Sequence, residues 1–357
     1  MKEIGYDIIN GTHLSAEEEW TPHKALSPKF FEWHYITLPM FGADGHQYFM
    51  FLCCFNFSSE IYKQVATDGH PEMVPEGLKL YSVMHHLCDY TDDMFKSGGG
   101  PVITPAEAAY DETSNTLTLA NPQAGIDVKF QYKGDKVYVY AKTDVCECEL
   151  TCSGGSRVMW MQDHLGKEGF IQEGAEDDRS FYYSLPELPY HGWVKYTNDK
   201  GEEVKTDVYG QGWIDRQWGD FLSKTWEWTS MRFGDGDRIN CYNFATGHQV
   251  LTYQKANGEV EHHPKFKVIQ NGYTRAAYDN TWLSYGWDYE LPVKDKKYKL
   301  DPLSQKNIIP TPGNTLYEGL CRILTEDGKQ VGWAALETMD VREMHNGPND
   351  VNNNFPG

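Results

Sequence analysis

No apolar run in this chain is long enough to cross a bilayer, and the opening MKEIGYDIINGTHLS lacks the apolar stretch of a secretion signal. Positive charge is scarce: 32 Lys and Arg stand against 52 Asp and Glu, a formal net charge of −20. Such a field repels phosphate backbones and anionic lipid, so neither nucleic acid nor a membrane is an expected partner. G-x-G-x-x-G, the Walker loop, G-x-S-x-G and H-E-x-x-H are all missing, which argues against a nucleotide cofactor, a serine nucleophile and a zinc hydrolase. The eight cysteines supply no zinc framework. Cys146, Cys148 and Cys152 lie close in sequence, but no second CxxC or His pair follows at metal spacing. Cys53 and Cys54 are adjacent and would point to opposite faces of a strand, which suits buried thiols better than disulfides. The expectation is a cytoplasmic protein with reduced thiols, no metal and no cofactor. Helical periodicity is nearly absent as well.

What the chain has in quantity is aromatic residues, with 11 Trp and 23 Tyr, and short strand-like runs between Gly and Asp turns. FEWHYITL (31–38) reads as a strand, ADG (43–45) as its turn, and QYFMFLCCFNF (47–57) as the return strand, apolar on both faces. LYSVMHHLCDY (80–90) follows as a strand, and the run 96–104 containing GGGP reads as loop. Further strands fall near 116–120, 126–132 and 136–144, and a second series runs from 191 to the hairpin LYEGLCRILTE-DG-KQVGWAALETMD (316–340). This spacing predicts an all-β protein of antiparallel sandwiches or barrels, not a βαβ fold. Expected divisions are a surface arm at 1–30, a β domain at 31–185, a second at 186–344 and a frayed tail at 345–357.

The chemistry concentrates in YGQGWIDRQWGDFLSKTWEW (209–228), which holds Trp213, Trp218, Trp226 and Trp228 with Asp215, Asp220 and Arg216. Alternation on a strand puts Trp213 and Asp215 on one face and Arg216 on the other. A carboxyl held against indole rings loses solvation, which favours its neutral, proton-donating form. Asp215 is thus the first candidate for acid–base work, against the plainer reading of a buried Asp paired with Arg216 or capping a turn. Trp213 can stabilise positive charge on a substrate or simply pack the core.

Several stretches together resemble one family. FEWHY with its following DG, HHLCDYTDDMF, YGQGWIDRQWGD with WEW, YGWDYELPV, and YEGLCRI with GWAALE are similar, in order over roughly 31–340, to the motifs of the AttH-like, carotenoid hydratase and kievitone hydratase family. The resemblance implies two lipocalin-like antiparallel β domains packed together with an apolar pocket at or near their junction. It also implies cofactor-free chemistry, in which water is added to or removed from a C=C bond, with isomerisation or cyclisation in relatives. The family's motif aspartate, held to be catalytic, matches Asp215. His34 stands where the family usually carries a second Trp. Arg216 replaces the His of the carotenoid enzymes, as in some AttH-like members, which points away from a long carotenoid as substrate.

The remaining candidates follow from position. Glu32 and His34 share a strand face, and His34 can act as a base near neutrality, although a satisfied structural pair is the commoner arrangement. Only one of His85 and His86 can reach a pocket, and His85 is taken. His191 lies at the expected domain junction. Trp218, Trp226, Trp228 and Tyr242 are candidate pocket walls. Glu318 and Glu337, on the last hairpin, either face a pocket or form salt bridges. The functional expectation is a hydratase or dehydratase for a hydrophobic or phenolic small molecule (terpenoid, flavonoid-like or polyketide-like), working as a monomer or homodimer. Asp215, His34 and Trp213 would be catalytic, and Glu32, His85, His191, Trp218, Trp226, Trp228, Tyr242 and Glu318 would bind substrate. An isomerase or cyclase on the same substrate class, and a non-catalytic carrier of an apolar ligand, are the alternatives.

Overall fold

Strands do form wherever β-branched and aromatic residues run between Gly, Asp and Asn turns, and the computed structural model is nearly all β. It describes residues 14–23, 30–57, 78–105, 109–153, 157–173, 178–221, 225–294, 296–310 and 315–345; the expected tail at 345–357 lies almost wholly outside them. In chain order come β1 (Phe30–Gly42), β2 (Gln47–Phe57), β3 (Leu78–Asp89), β4 (Met94–Pro105), β5 (Tyr110–Asp111), β6 (Thr116–Asn121), β7 (Ile126–Lys133), β8 (Lys136–Lys142) and β9 (Glu147–Ser153). The two-residue β10 (Met159–Trp160) and β11 (Phe170–Ile171) lead to the long β12 (Arg179–Thr197) and β13 (Glu203–Asp220). Then follow β14 (Trp226–Phe233), β15 (Arg238–Phe244), β16 (Gln249–Gln254), β17 (Val260–His263), β18 (Lys267–Arg275), β19 (Trp282–Leu291), β20 (Lys296–Pro302), β21 (Ile308–Ile309), β22 (Leu316–Thr325) and β23 (Gln330–Thr338). A short helix, Val341–His345, closes the described chain. No helix among the described residues is long and apolar enough to cross a membrane.

The chain divides into two compact units, Met1–Val158 with Arg179–Leu222, and Met159–Asp178 with Ser223–Gly357. The expected boundary at 185/186 therefore falls inside β12. That strand pairs with β9 and β13, and β13 pairs with β1, so residues 179–220 complete the first sheet instead of opening the second. Local patterning marks a strand but not the neighbour it joins.

In the first unit the antiparallel order is β4-β3-β2-β1-β13-β12-β9-β8-β7-β6-β5. The sheet curls until its ends approach: Asn121 on β6 donates to the Pro101 carbonyl on β4 at 2.9 Å. Strands β6 to β9 alternate buried apolar with more exposed polar residues, whereas β1, β2 and the 213–218 part of β13 are buried on both faces. The GGGP run, expected as loop, is strand β4. Gly99 sits at φ +118° against the Val83 carbonyl oxygen, an approach that any side chain would block.

The arm is not on the surface where it is described. Residues 14–23 enter the curl of the first sheet, with Trp20 fully buried. Its ring packs edge-on to His34 of β1 and Phe130 of β7, at 4.7 and 4.8 Å, strands that stand five places apart in the sheet order. Tyr183 donates to the Ala16 carbonyl at 2.7 Å, and Asn115 to that of Glu17 at 2.9 Å. The polar composition of this segment hides the fact that its polar groups find buried partners.

The second unit orders β17-β16-β15-β14-β23-β22-β20-β19-β18. It too is curled, since Tyr289 on β19 reaches Thr229 on β14 across the interior at 3.1 Å. Its core is built from Met231, Ile239, Leu251, Trp287, Leu300 and their neighbours. All eight cysteines are buried free thiols.

Candidate functional site

Register places the motif residues on two faces of β13. Antiparallel pairing sets Asp215 opposite Tyr35 of β1 and Ser184 of β12, while Arg216 stands opposite His34 and Tyr183. Asp215 is 2% exposed. It accepts from Ser184 Oγ at 2.5 Å and Trp213 Nε1 at 2.7 Å on Oδ1, and from Tyr182 Oη at 2.7 Å on Oδ2. Its oxygens thus meet two hydroxyls and an indole N–H, not the indole faces that the sequence led one to expect. Trp213 meets the acid through its N–H rather than its ring face. Asp215 and Arg216 do point apart, as alternation requires, and the Asp215–Arg216 pair is not formed.

The opposite face carries a buried ionic network. Arg216 Nη2 bonds Glu32 Oε1 at 2.8 Å, and Arg216 Nη1 donates to the Trp33 carbonyl at 2.6 Å. Glu32 also accepts from Asn56 Nδ2 at 2.6 Å and from His23 Nδ1 at 2.8 Å, while His23 Nε2 meets Glu19 at 3.0 Å. Burial pulls the Glu32 carboxyl upward, but Arg216 and His23 outweigh it and hold it far below the ordinary carboxylate range. His23 stacks flat on Trp218, rings 4.3 Å apart. Glu32 and Trp218 thus both contact the chain's own segment 14–23.

His34 and His85 lie on this same inner face, so neither stands with Asp215. His34 Nε2 donates to the Trp20 carbonyl at 2.8 Å, and burial, reinforced by Arg216, lowers its pKa well below the usual imidazole value. Its ring is thus engaged with the inserted segment and not with Asp215. His85 reaches Thr143 at 2.9 Å, and burial lowers its pKa to about 3. Both are satisfied core histidines. His191 is exposed and stands opposite Tyr209, six positions from Asp215 along β13. His46, Asp89 and Asp92 approach closely enough to share an ion, but Asp89 is already taken by His46 Nδ1 at 2.8 Å and by the amides of Thr91 and Asp92.

In the second unit one ladder row crosses four strands: Tyr242 (β15), Trp228 (β14), Glu337 (β23) and Glu318 (β22) stand directly opposite one another. Trp226 Nε1 donates to Glu337 Oε1 at 2.6 Å, and Trp228 Nε1 to Asn240 Oδ1 at 3.1 Å. Glu318 and Glu337 hydrogen-bond each other, and burial raises the pKa of Glu337. On the inner face, Glu227 accepts from Gln270 at 2.6 Å and Asn243 at 3.0 Å, and burial pushes it up to about 7. Sequence reasoning passed over Glu227, Tyr182 and Ser184. Alternation from Trp226 shows only that Glu227 faces away from the tryptophans, and no local signal pairs β12 with β13.

The AttH-like family profile matches residues 18–339. The crystal structure of an AttH protein from Nitrosomonas europaea is similar, with a TM-score of 0.71 at 17% identity, covering 92% of this chain and 98% of that one. Kievitone hydratase from Nectria haematococca follows at TM-score 0.60 and 16% identity, covering 86% and 88%. At these identities the likeness speaks for the fold. No curated protein sequence matches the chain.

Proposed function

Because the chain belongs to the AttH-like family, with its profile matched over residues 18–339, we propose that it is a hydratase-type enzyme acting on a C=C bond of a hydrophobic or phenolic small molecule. The observation that carries this reading is the Asp215 carboxylate, buried yet fixed by Tyr182, Ser184 and Trp213. A carboxylate held by three donors is oriented to take a proton, either from water as it adds to a polarised double bond or from carbon as water leaves. A structural neighbour named kievitone hydratase supports the choice of reaction. In the carrier reading a ligand would fill the first barrel, but that interior is occupied by Trp20 and the Glu32–Arg216 network. An isomerase or cyclase would use the same carboxylate to move a proton without adding water.

The test is turnover of kievitone, alkenyl phenols and terpenoid alkenes in oxygen-18 water. Mass spectrometry should find product heavier by one labelled water. Asp215→Asn should fold, since its amide oxygen can keep Ser184 and Trp213 while its NH2 donates to the Tyr182 hydroxyl, which turns to accept. The variant should lose activity by ~10²–10⁴-fold. Full activity in Asp215→Asn rejects the assignment. A product of unchanged mass favours the isomerase, and ligand quenching of tryptophan without any product favours the carrier.

A further inference from the structure

One face of β14 in the second unit gathers two acids, two tryptophans and a buried serine. Its first part is the pair Glu318–Glu337, adjacent across β22 and β23. Two carboxyl groups in hydrogen-bond contact must hold a proton between them, because both cannot be charged at that separation. Glu318 is fully buried, whereas Glu337 keeps partial exposure. The Trp226 N–H fixes its Oε1. Burial raises the Glu337 pKa above its ordinary value, against the lowering effect of its bonds to Glu318 and Trp226.

The second part is independent of the acids. Alternation sets Trp226, Trp228 and Ser230 on one face of β14, and Ser230 stands opposite Asn240 and Ala335, one row from Trp228 and Glu337. Ser230 is wholly buried, and its Oγ has no hydrogen-bond partner among the described residues. A buried hydroxyl left unpaired is costly and calls for a ligand group. Beside it lies an aromatic wall, with Tyr242 stacked on Phe244 at 5.0 Å and edge-on to Trp226 at 6.4 Å.

We propose that this face binds an unsaturated aromatic ligand through a hydroxyl bonded to Ser230, and that Glu337, sharing its proton with Glu318, is a general acid toward the ligand's C=C bond. The choice of reaction rests on the hydratase reading; the binding claim does not. In the step, the Glu337 proton goes to one alkene carbon and the π pair becomes the new C–H bond. Water's lone pair closes on the other carbon, and the proton that this oxygen sheds returns to Glu337. Alkene and water thus become alcohol, and the pair ends as it began.

Two measurements need no turnover. In Glu227→Gln, which removes the other buried high-pKa carboxyl, infrared spectra at neutral pH should show a protonated carboxyl band that Glu227→Gln/Glu318→Gln/Glu337→Gln lacks. Tryptophan quenching by 4-vinylphenol should weaken ~5–10-fold in Ser230→Ala, one lost hydrogen bond, in a variant that folds because no protein partner is lost. A band unchanged by the two further substitutions, or equal binding by Ser230→Ala, overturns the proposal. With a substrate that turns over, Glu337→Gln should lose ~10²-fold or more and the alkaline fall in rate should vanish. Loss of activity in Asp215→Asn with full activity in Glu337→Gln sinks the acid and keeps Asp215. The reverse sinks Asp215 alone.

Discussion

Arg216 shows how one residue of the motif joins separate parts of the chain while its neighbour Asp215 faces the other way. Its guanidinium is fully buried against the Glu32 carboxylate, and the same Nη2 lies within 3.3–3.4 Å of the carbonyls of Glu19, Trp20 and Thr21. A buried ion pair contributes little net stability over an apolar substitute, but removing one partner strands the other charge. Arg216→Met should therefore destabilise the protein by ~3–5 kcal/mol, and adding Glu32→Leu should recover much of that loss. Urea melts of the single and double variants check this. Equal stability of Arg216→Met and wild type would show that Glu32 has another counter-charge. The sequence alone already separated Arg216 from Asp215, because alternation is a geometric necessity once β13 is a strand. It could not say which groups would meet each charge. That depended on Tyr182 and Ser184 arriving from β12, and on Glu19 and His23 arriving from the inserted segment.

At the scale of elements, residues 14–23 act as a plug whose anchor is Trp20. The anchor touches strands far apart in the sheet order, so it ties the curl closed from within. Trp20→Ala should cost ~3–5 kcal/mol, the loss expected for a large aromatic removed from a core. Hydrogen exchange should rise in β1 and β7 together; a rise limited to residues 14–23 would mean that the plug does not brace the sheet. The strands themselves were legible from apolar alternation and Gly-Asp turns: β2 matches its expected bounds, and β1, β3 and β7 differ by a few residues. The illegible elements share one cause. Composition read the arm as solvated and the GGGP run as loop. Yet His23 bonds both Glu32 and Glu19 in the interior, and Gly99 is needed for the close approach of β4 to β3. The Glu318–Glu337 pairing is likewise a matter of register, which one strand's sequence does not contain.

Taken whole, the chain distributes its buried titratable groups unevenly between the two units, and this predicts opposite responses to pH. In the first unit Glu32 is depressed, so its contribution is present above about 4.5, its ordinary value, and is lost as pH falls below it. His34, His85 and His86 are held neutral by burial, with pKa values below the ordinary 6.5. Their unfolded forms take up protons first, so acidification below about 6.5 also favours unfolding of this unit. In the second unit Glu227 is raised to about 7, so the folded state binds the extra proton between about 4.5 and 7. Stability there is highest on the acid side and declines as pH rises through that window, by ~3 kcal/mol for a shift of this size. Glu337, raised by burial as well, adds in the same direction. Hydrogen exchange between pH 5 and 8, corrected for the intrinsic rate, should show protection of β1–β3 growing with pH while that of β14–β16 declines. Glu227→Gln should flatten the second trend and leave the first. Protection that moves in the same direction in both units would mean that the buried carboxyl of the second barrel does not ionise in this range. Its bonds to Gln270 and Asn243 would then hold one charge state throughout.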